Sequence, residues 1–228
     1  MIVTITGADD NTDPEALATL STKYPFVEWG VLLSEKREGS ARYPSSAWLS
    51  SASQIVGRPY VRFSAHLCGG IAREFMQGRT ERLLGVWTWC DRMQINGYEP
   101  GAESAVVLRQ LARNGWDRLI LQARGEDALV ACAADALFTE AAAVLYDPSG
   151  GRGIGAGVWP DAPRGVRAGY AGGINPGNVV SVLGHVAPLG ATWIDMESGV
   201  RDEGDRLDLE RVAEVLARAD EWMRGPSQ

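Results

Sequence analysis

The sequence predicts an α/β fold, a single (β/α)8 TIM barrel that spans residues 1–228 as one domain. Eight short runs rich in Val, Ile and aromatic residues recur along the chain, and helical patterns lie between most of them. Strands that alternate with helices favour a parallel sheet, and eight of them favour a closed barrel over an open sheet. Dividing 228 residues by eight gives 28.5, close to the roughly 30 residues of one strand–helix unit.

The predicted strands are short runs of β-branched, aliphatic and aromatic side chains. In chain order they are Ile2–Thr6, Phe26–Leu33, Tyr60–Leu67, Arg92–Asn96, Arg118–Gln122, Ala142–Tyr146, Arg167–Ala171 and Thr192–Met196.

The predicted helices follow from caps and from apolar spacing. The first begins at Asp13–Pro14, because an N-cap residue there is followed by proline at the first helical position. The last, LDLERVAEVLARADEWM, repeats apolar residues at three- and four-residue intervals and is the clearest amphipathic pattern. The weakest helices are the second, SSAWLSSASQIVG, and the sixth, where GRGIGAGVWPDAPRG resembles a loop.

Composition excludes several classes of protein and partner. Hydrophobic residues make up 45% and charged residues 22%, which is typical of a globular chain and not of a disordered one. The net charge of −7 argues against a nucleic-acid partner, since such binding depends on Lys and Arg neutralising phosphates. The sequence contains no run of 18 apolar residues, so we expect no membrane partner. MIVTITGADD lacks the features of a signal peptide.

The cysteines predict a reduced, cytoplasmic protein. Cys68, Cys90 and Cys132 are an odd number, far apart, without a secretion signal. No CxxC or HxxxH pair indicates zinc, and we expect neither a metal nor an organic cofactor.

Glycine-rich loops follow the seventh and eighth predicted strands. Barrels of this kind commonly bind phosphate there, and two glycines let the backbone approach an anion closely. We therefore predict a phosphate site at Gly172, Gly173, Ser198 and Gly199. The alternative is that these glycines only make tight turns. Gly69-Gly70-Ile71 after strand three repeats Gly172-Gly173-Ile174 after strand seven, as a duplicated half-barrel would.

AGGINPGNV followed by IDMESGV resembles the two last loops of phosphoribosylanthranilate isomerase, A-G-G-L-N-P-x-N-V and V-D-V-S-S-G-V-E. SARYPS is similar to that family's S-P-R-Y-V loop, and QINGYE to its Q-L-H-G-D-E. Tyr146-Asp147 with the GGRG that follows resembles its L-D and G-G-T-G, and MIVTITG lies in the place of its K-I-C-G-I-T. The resemblance runs in order along the whole chain.

The resemblance implies an Amadori rearrangement of a phosphoribosyl-amine to a 1-amino-2-ketose. Such chemistry needs an acid that opens the ribose ring and a base that removes the proton from C2′. The acid maps to Asp147, whereas Thr6 stands at the position of the family's basic cysteine. A threonine hydroxyl is a poor base without an activating partner. Cys68 and His66 are the two candidate replacements, and the helix start at Gly69-Gly70 would help to lower the pKa of the thiol. The alternative is that Cys68 is a buried, inert cysteine and His66 a hydrogen-bonded structural histidine.

The remaining predicted site residues bind substrate. Arg42 resembles the residue that contacts the anthranilate carboxylate, and Asp195 the aspartate near the ribose hydroxyls. Thr6 and Asn96 complete the set, Asn96 in place of a histidine. Glu197 replaces a serine beside the phosphate, so we expect it to point away or to pair with Arg201.

Three functions stay open. The first is isomerisation of a phosphoribosyl-amine by acid–base catalysis, and the second is a related barrel enzyme for another phosphorylated substrate, such as a bisphosphate. The third is a barrel that binds a phosphorylated ligand without catalysis. The missing cysteine favours the second and third functions, whereas Asp147, Arg42 and the order of the motifs favour the first. In each case the partner is a small phosphorylated molecule, and the protein is a monomer or a homodimer.

Overall fold

A computed structural model describes residues 1–140, 142–150 and 158–225. Eight parallel strands close into a barrel in chain order, and β8 pairs with β1. They are β1 (Ile2–Thr6), β2 (Val27–Leu33), β3 (Phe63–Leu67), β4 (Arg92–Ile95), β5 (Leu119–Ala123), β6 (Ala142–Tyr146), β7 (Ala168–Ala171) and β8 (Ala191–Met196). The predicted fold class is confirmed. That residues 1–228 are one domain stays a prediction.

The helices surround the sheet and are interrupted in the segment after β3. The α-helices are α1 (Pro14–Lys23), α2 (Ser46–Ser53), α3 (Gly70–Phe75), α4 (Leu84–Trp87), α5 (Ala102–Arg113), α6 (Glu126–Thr139), α7 (Val179–Val186) and α8 (Leu209–Arg224). Short 3-10 helices lie at Glu81–Leu83 and Ser198–Val200. The described residues between β6 and β7 contain no helix, and residues 151–157 of the predicted loop lie outside the described part.

Local sequence explains where most elements begin. Asp13 caps α1 by accepting from the Glu15 amide, as its position before Pro14 predicts. The weakly predicted α2 forms because Ser45 accepts from the Trp48 amide. The third strand begins three residues later than predicted, since Tyr60 has a left-handed φ of 66° that no strand accommodates.

The barrel interior divides into an apolar and a polar half. Ile120, Ala143, Leu145, Ala171 and Trp193 form a small apolar cluster contributed by β5 to β8. The indole of Trp193 fills the space beside Gly169, where an added Cβ would lie 2.0 Å from the ring. The interior on the side of β1 to β4 instead carries charged and polar side chains.

Glu28 on β2 anchors the polar half. Its carboxylate accepts from the Thr4 hydroxyl at 2.9 Å and from the guanidinium of Arg92 at 2.9 and 2.5 Å. The guanidinium of Arg92 also lies 4.5 Å from the centre of the Trp193 ring. Because β4 and β8 are not neighbours in the sheet, this contact crosses the barrel and joins its two halves.

Candidate active site

A cavity of about 530 Å³ opens at the carboxyl ends of the strands, where barrel enzymes carry their active sites. Every strand or the loop directly after it contributes to its lining. All the predicted site residues lie around this one cavity: Thr6, Arg42, His66, Cys68, Asn96, Asp147, Gly172, Gly173, Asp195, Ser198 and Gly199. The structure therefore brings them together, and the role of each stays a prediction.

Thr6 and Asp195 lie side by side on β1 and β8. The Thr6 hydroxyl donates to Asp195 Oδ1 at 2.7 Å, and both side chains are buried. Burial raises the pKa of Asp195 well above its usual value; the Thr6 hydrogen bond opposes this, and the charges of Glu197, Asp147 and Glu28 reinforce it. Asp195 is therefore a carboxyl whose proton is held more tightly than usual.

Asp147 directly follows β6 and is held from two directions. Its Oδ2 accepts from the Gln122 side chain at 2.8 Å, and its Oδ1 accepts from the Ser149 amide and hydroxyl at 3.1 and 2.7 Å. Asp147 is 4% exposed and lines the cavity. Because these hydrogen bonds hold its carboxyl group, the orientation of the group is fixed before any ligand binds.

A chain of hydrogen bonds connects Cys68 with His66 along β3 and β4. The Asn96 amide donates to Cys68 Sγ at 3.2 Å, and Gln94 Nε2 donates to Asn96 Oδ1 at 2.7 Å. Gln94 Nε2 also lies 3.4 Å from His66 Nδ1. Since an amide nitrogen only donates, this contact is a hydrogen bond in the tautomer in which Nδ1 accepts and Nε2 carries the proton.

Neither predicted replacement base has a pKa near neutrality. Burial raises the pKa of the Cys68 thiol to about 11, which outweighs the opposing hydrogen bond from Asn96. The expected lowering of this pKa by the helix start at Gly69-Gly70 is therefore wrong, because burial is the larger effect. Burial also lowers the pKa of His66 to about 3, with the charge of Arg92 acting in the same direction.

Arg42 is engaged by carboxylates of its own chain. Its Nε and Nη2 donate to Asp205, with the shortest distance 2.6 Å, and its Nη1 donates to Glu197 at 2.7 Å and to Ser198 Oγ at 3.2 Å. Glu197 thus pairs with Arg42, and not with Arg201, which was one of the two sequence-based expectations. A ligand carboxylate gripped by Arg42 would have to displace one of these two acids.

A network of ion pairs continues from Arg42 across the rim of the barrel. The guanidinium of Arg201 contacts Asp205 at 2.9 Å and Asp9 at 3.1 Å, and Asp9 also accepts from the Arg42 amide at 2.8 Å. We call Asp9, Arg42, Glu197, Arg201 and Asp205 the rim network. It connects the loops that follow β1, β2 and β8.

The glycine loops after β7 and β8 pack against each other. An added Cβ at Gly199 would lie 2.0 Å from the Ile174 carbonyl oxygen, so only glycine fits there. Gly172 and Gly173 have φ values of 122° and 64°. Within the described residues no acceptor binds the backbone amides of Gly172, Gly173, Ser198 and Gly199. Four amide donors are thus left beside the cavity.

Sequence reasoning missed several residues of the cavity wall. These are chiefly Arg37, Tyr43, Gln94, Gln122 and Arg124. Gln94 lies two residues before Asn96 on one strand, so the alternation of side chains along β4 was a signal for it. Tyr43 lies in the SARYPS motif, and Gln122 lies two residues after Ile120 along β5, so both also had a local signal. Arg37 and Arg124 reach the cavity from loops and had none.

Two features are absent from the described residues. These residues contain no group of three or more His, Cys, Asp or Glu side chains arranged to hold a metal ion. Within them, no helix combines the length and the apolar composition required to cross a bilayer.

No protein-family model matches the chain, and no curated protein matches it in sequence. Similar solved structures exist. Phosphoribosylanthranilate isomerase from Thermus thermophilus is 20% identical, with a TM-score of 0.60 over 96% of this chain and 98% of that one. The enzyme from Thermotoga maritima is 18% identical, with a TM-score of 0.61 over 96% of this chain and 99% of that one.

A third similar structure is a phosphoribosylanthranilate isomerase in complex with reduced 1-(o-carboxyphenylamino)-1-deoxyribulose 5-phosphate. It is 18% identical, with a TM-score of 0.62 over 96% of this chain and 99% of that one. At such identities the similarity establishes the fold alone. The chain therefore has the fold of the phosphoribosylanthranilate isomerases over nearly its whole length, and at that level the resemblance seen in the sequence is confirmed.

Proposed function

We propose that this protein isomerises a phosphoribosyl-amine to a 1-amino-2-ketose by acid–base catalysis, with phosphoribosylanthranilate the first substrate to test. The observation that carries the proposal is one cavity that combines two buried carboxyl groups, Asp147 and Asp195, with four backbone amides that bind no described acceptor. Carboxyl groups serve proton transfer, and free amides at glycine loops serve a phosphate.

The phosphate end of the substrate belongs at the loops after β7 and β8. The amides of Gly172, Gly173, Ser198 and Gly199 supply donors without adding a positive side chain, which suits a protein of net charge −7. Glu197 adjoins this site, and its ion pair with Arg42 offsets the negative charge that would otherwise repel an anion.

Asp147 is the proposed acid. Its protonated form gives the proton to the ribose ring oxygen, and the C1′–O4′ bond breaks as a protonated imine forms. Gln122 and Ser149 hold the carboxyl group in place by three hydrogen bonds, so little reorganisation is needed when the substrate arrives.

A second candidate function is favoured by Arg42. Because Asp205 and Glu197 already occupy its guanidinium, a phosphoribosyl-amine without a carboxylate at that end would bind with no loss of ion pairs. The substrate would then be another phosphorylated amino sugar, isomerised by the same carboxyl groups. Comparing turnover of the two substrate types by one preparation distinguishes these functions.

The direct test is an assay of phosphoribosylanthranilate turnover by the loss of its fluorescence. We expect activity from the wild type and a loss of about 10²- to 10⁴-fold in Asp147→Asn, the range that one acid–base group contributes. Asp220→Asn, a change on the outer helix α8, is the control and should keep full activity. Absence of turnover by pure, folded wild-type protein would contradict the assignment of this substrate.

The phosphate site has its own test. Inorganic phosphate should raise the melting temperature of the wild type, and Gly173→Asp should abolish the rise by placing a carboxylate among the amides. Gly57→Asp is the matched control, because Gly57 also has positive φ (88°) and open space around it but lies in a different loop. Equal stabilisation of wild type and Gly173→Asp would refute the site.

A barrel that binds a phosphorylated ligand without catalysis would pass the phosphate test and fail the turnover test. The other expectations stay predictions: a small phosphorylated partner, no nucleic-acid or membrane partner, a cytoplasmic location, and a monomer or homodimer. One of the similar structures is described as monomers generated from a dimeric Thermotoga maritima enzyme, so both states occur with this fold.

A further inference from the structure

We propose that Asp195, oriented by Thr6, is the base that removes the proton from C2′. This inference rests on the proposed function. Thr6 occupies the position at which the resembling family has its basic cysteine, and the Asp195 carboxyl group lies one hydrogen bond, 2.7 Å, from the Thr6 hydroxyl. The base would thus have moved from β1 to the neighbouring strand β8 and kept its place in the cavity.

The strand pairing fixes this placement. Thr4 pairs with Asp195 and Ile5 with Met196, so the inward-facing Thr6 and Asp195 come from adjacent strands at the same end of the barrel. Gly30 on β2 makes room for the pair, since an added Cβ there would lie 2.2 Å from Thr6 Oγ1. Any bulkier residue at Gly30 would push the threonine from its carboxylate partner.

One oxygen of Asp195 is available to a substrate. Oδ1 accepts from Thr6, whereas Oδ2 accepts from no described side chain and is not among the enclosed atoms that lack a partner. Since Asp195 lines the cavity, Oδ2 is the oxygen that would meet the ribose. His66 differs, because its Nε2 is enclosed and has no partner among the described residues.

The surroundings of Asp195 strengthen it as a base. Burial and the carboxylates of Glu197 and Glu28 raise its pKa, and Asp147 adds to this once it has given up its proton. A carboxylate with a raised pKa takes a proton more readily than an ordinary one. The other charged groups near the floor are partnered: Arg92 with Glu28, and Arg42 with Glu197. His66 is neutral because its pKa is lowered. The residues that β1 and β7 contribute to the cavity, Thr6 and Ala171, carry no charge.

The protons balance over the reaction. After Asp147 has protonated the ring oxygen, Asp195 takes the C2′ proton, the C2′–H electrons form a C1′=C2′ double bond, and the imine π electrons move to nitrogen. Asp195 then returns its proton to C1′, while the O2′–H proton passes to the Asp147 carboxylate. The products are the ketose and an enzyme in its starting protonation state, so no co-reactant is consumed.

The first experiment compares wild type with Asp195→Asn in turnover of phosphoribosylanthranilate and in binding of reduced 1-(o-carboxyphenylamino)-1-deoxyribulose 5-phosphate, measured by calorimetry. We expect turnover to fall by about 10²- to 10⁴-fold while the analogue still binds. Asp135→Asn is the control, because Asp135 is a buried carboxyl outside the cavity that accepts from Tyr98 and Gly101. It should keep wild-type turnover.

The second experiment tests Thr6 as a positioning residue through the pH profile of kcat/KM. Thr6→Val removes the hydrogen bond that lowers the Asp195 pKa, so the limb of the profile that reports the ionisation of Asp195 should move to higher pH. Thr6→Ser keeps a hydroxyl and should restore the wild-type position. A merely structural threonine would change the amplitude and not the position of the limb. This experiment also stands if Asp195→Asn does not fold.

The outcomes separate the two proposals. Wild-type turnover with an active Asp195→Asn overturns the base assignment and leaves the proposed function standing, as does loss of turnover in Cys68→Ser alone. Joint loss of turnover and of analogue binding in Asp195→Asn makes Asp195 a binding group and also overturns the assignment. An inactive wild type refutes the proposed function, and the base assignment with it.

Discussion

Asp195 carries a stability cost that its proposed role explains. A carboxyl whose pKa is raised on folding favours the folded state at pH below its unfolded pKa, near 3.9, and this contribution is lost as pH rises through the folded pKa. At neutral pH the folded protein must either bury Asp195 as a charged carboxylate or keep it protonated. Either state lowers the free energy of unfolding, because the unfolded chain holds the carboxylate ionised in water.

We predict that Asp195→Asn is more stable than the wild type at pH 7 to 8, because the amide can still accept from Thr6 and needs no proton. The gain should be a few degrees in melting temperature, since about 1 kcal/mol corresponds to roughly 2–4 °C for a chain of this size. The difference should shrink as pH falls toward 4. Equal melting temperatures at pH 8 would contradict the raised pKa.

Gly169 is a second residue whose substitution has a calculable outcome. An added methyl would lie 2.0 Å from the Trp193 ring inside the barrel, so Gly169→Ala should lose roughly 1–3 kcal/mol of unfolding free energy or more. Gly85→Ala on α4 is the control, because nothing lies within 4 Å of its added methyl. Urea denaturation should show Gly169→Ala destabilised and Gly85→Ala unchanged or slightly stabilised.

At the scale of elements, β2 and β4 are joined through the barrel interior by the Glu28–Arg92 ion pair. Removing one partner of such a buried pair leaves an uncompensated charge and typically costs 3–5 kcal/mol, whereas replacing both partners is often neutral. We therefore predict strong destabilisation in Arg92→Met and recovery in the double variant Glu28→Leu with Arg92→Met.

Urea denaturation of the two single variants and the double variant measures this coupling. An additive double variant, with the losses of Glu28→Leu and Arg92→Met simply summed, would show that the two side chains stabilise the barrel independently. The Thr4 hydroxyl, which also donates to Glu28, then becomes the residue to examine.

The strands could be predicted from sequence to within three residues at their ends, because each is a short apolar run. The segment after β3 could not, since the sequence predicts only the helix start at Gly69-Gly70, whereas the chain forms α3, a 3-10 turn and α4 there. A long-range contact accompanies these short helices: the Trp87 ring packs on Trp116, with 4.8 Å between centroids. Local periodicity holds no information about such a partner.

The site shows the same division between local and distant information. The glycine loops and Asp147 were readable from motifs, because each motif is continuous in sequence. The engagement of Arg42 was not, since Glu197 and Asp205 lie 155 and 163 residues away in the chain. The hydrogen bond between Thr6 and Asp195 was not readable either, since only the pairing of β8 with β1 brings the two residues together.

At the scale of the whole molecule, the rim network connects the loops after β1, β2 and β8 through ion pairs between side chains. Arg201 is buried with Asp9, whereas Asp205 is 44% exposed as a side chain, so the outer part of the network is open to screening by salt. Any effect of the rim network on the proposed phosphate site should therefore depend on the ionic strength as well as on the closed barrel.

The pairing of the first strand with the last has a consequence for folding. The proposed base and its orienting hydroxyl are 189 residues apart, so the two meet only after nearly the whole chain has been synthesised and the ring of strands has closed. Contacts of such high sequence separation form late and limit the folding rate. Assembly of the proposed reaction centre and completion of the fold are thus one event. A chain cut before β8 would lack Asp195 and with it the proposed centre.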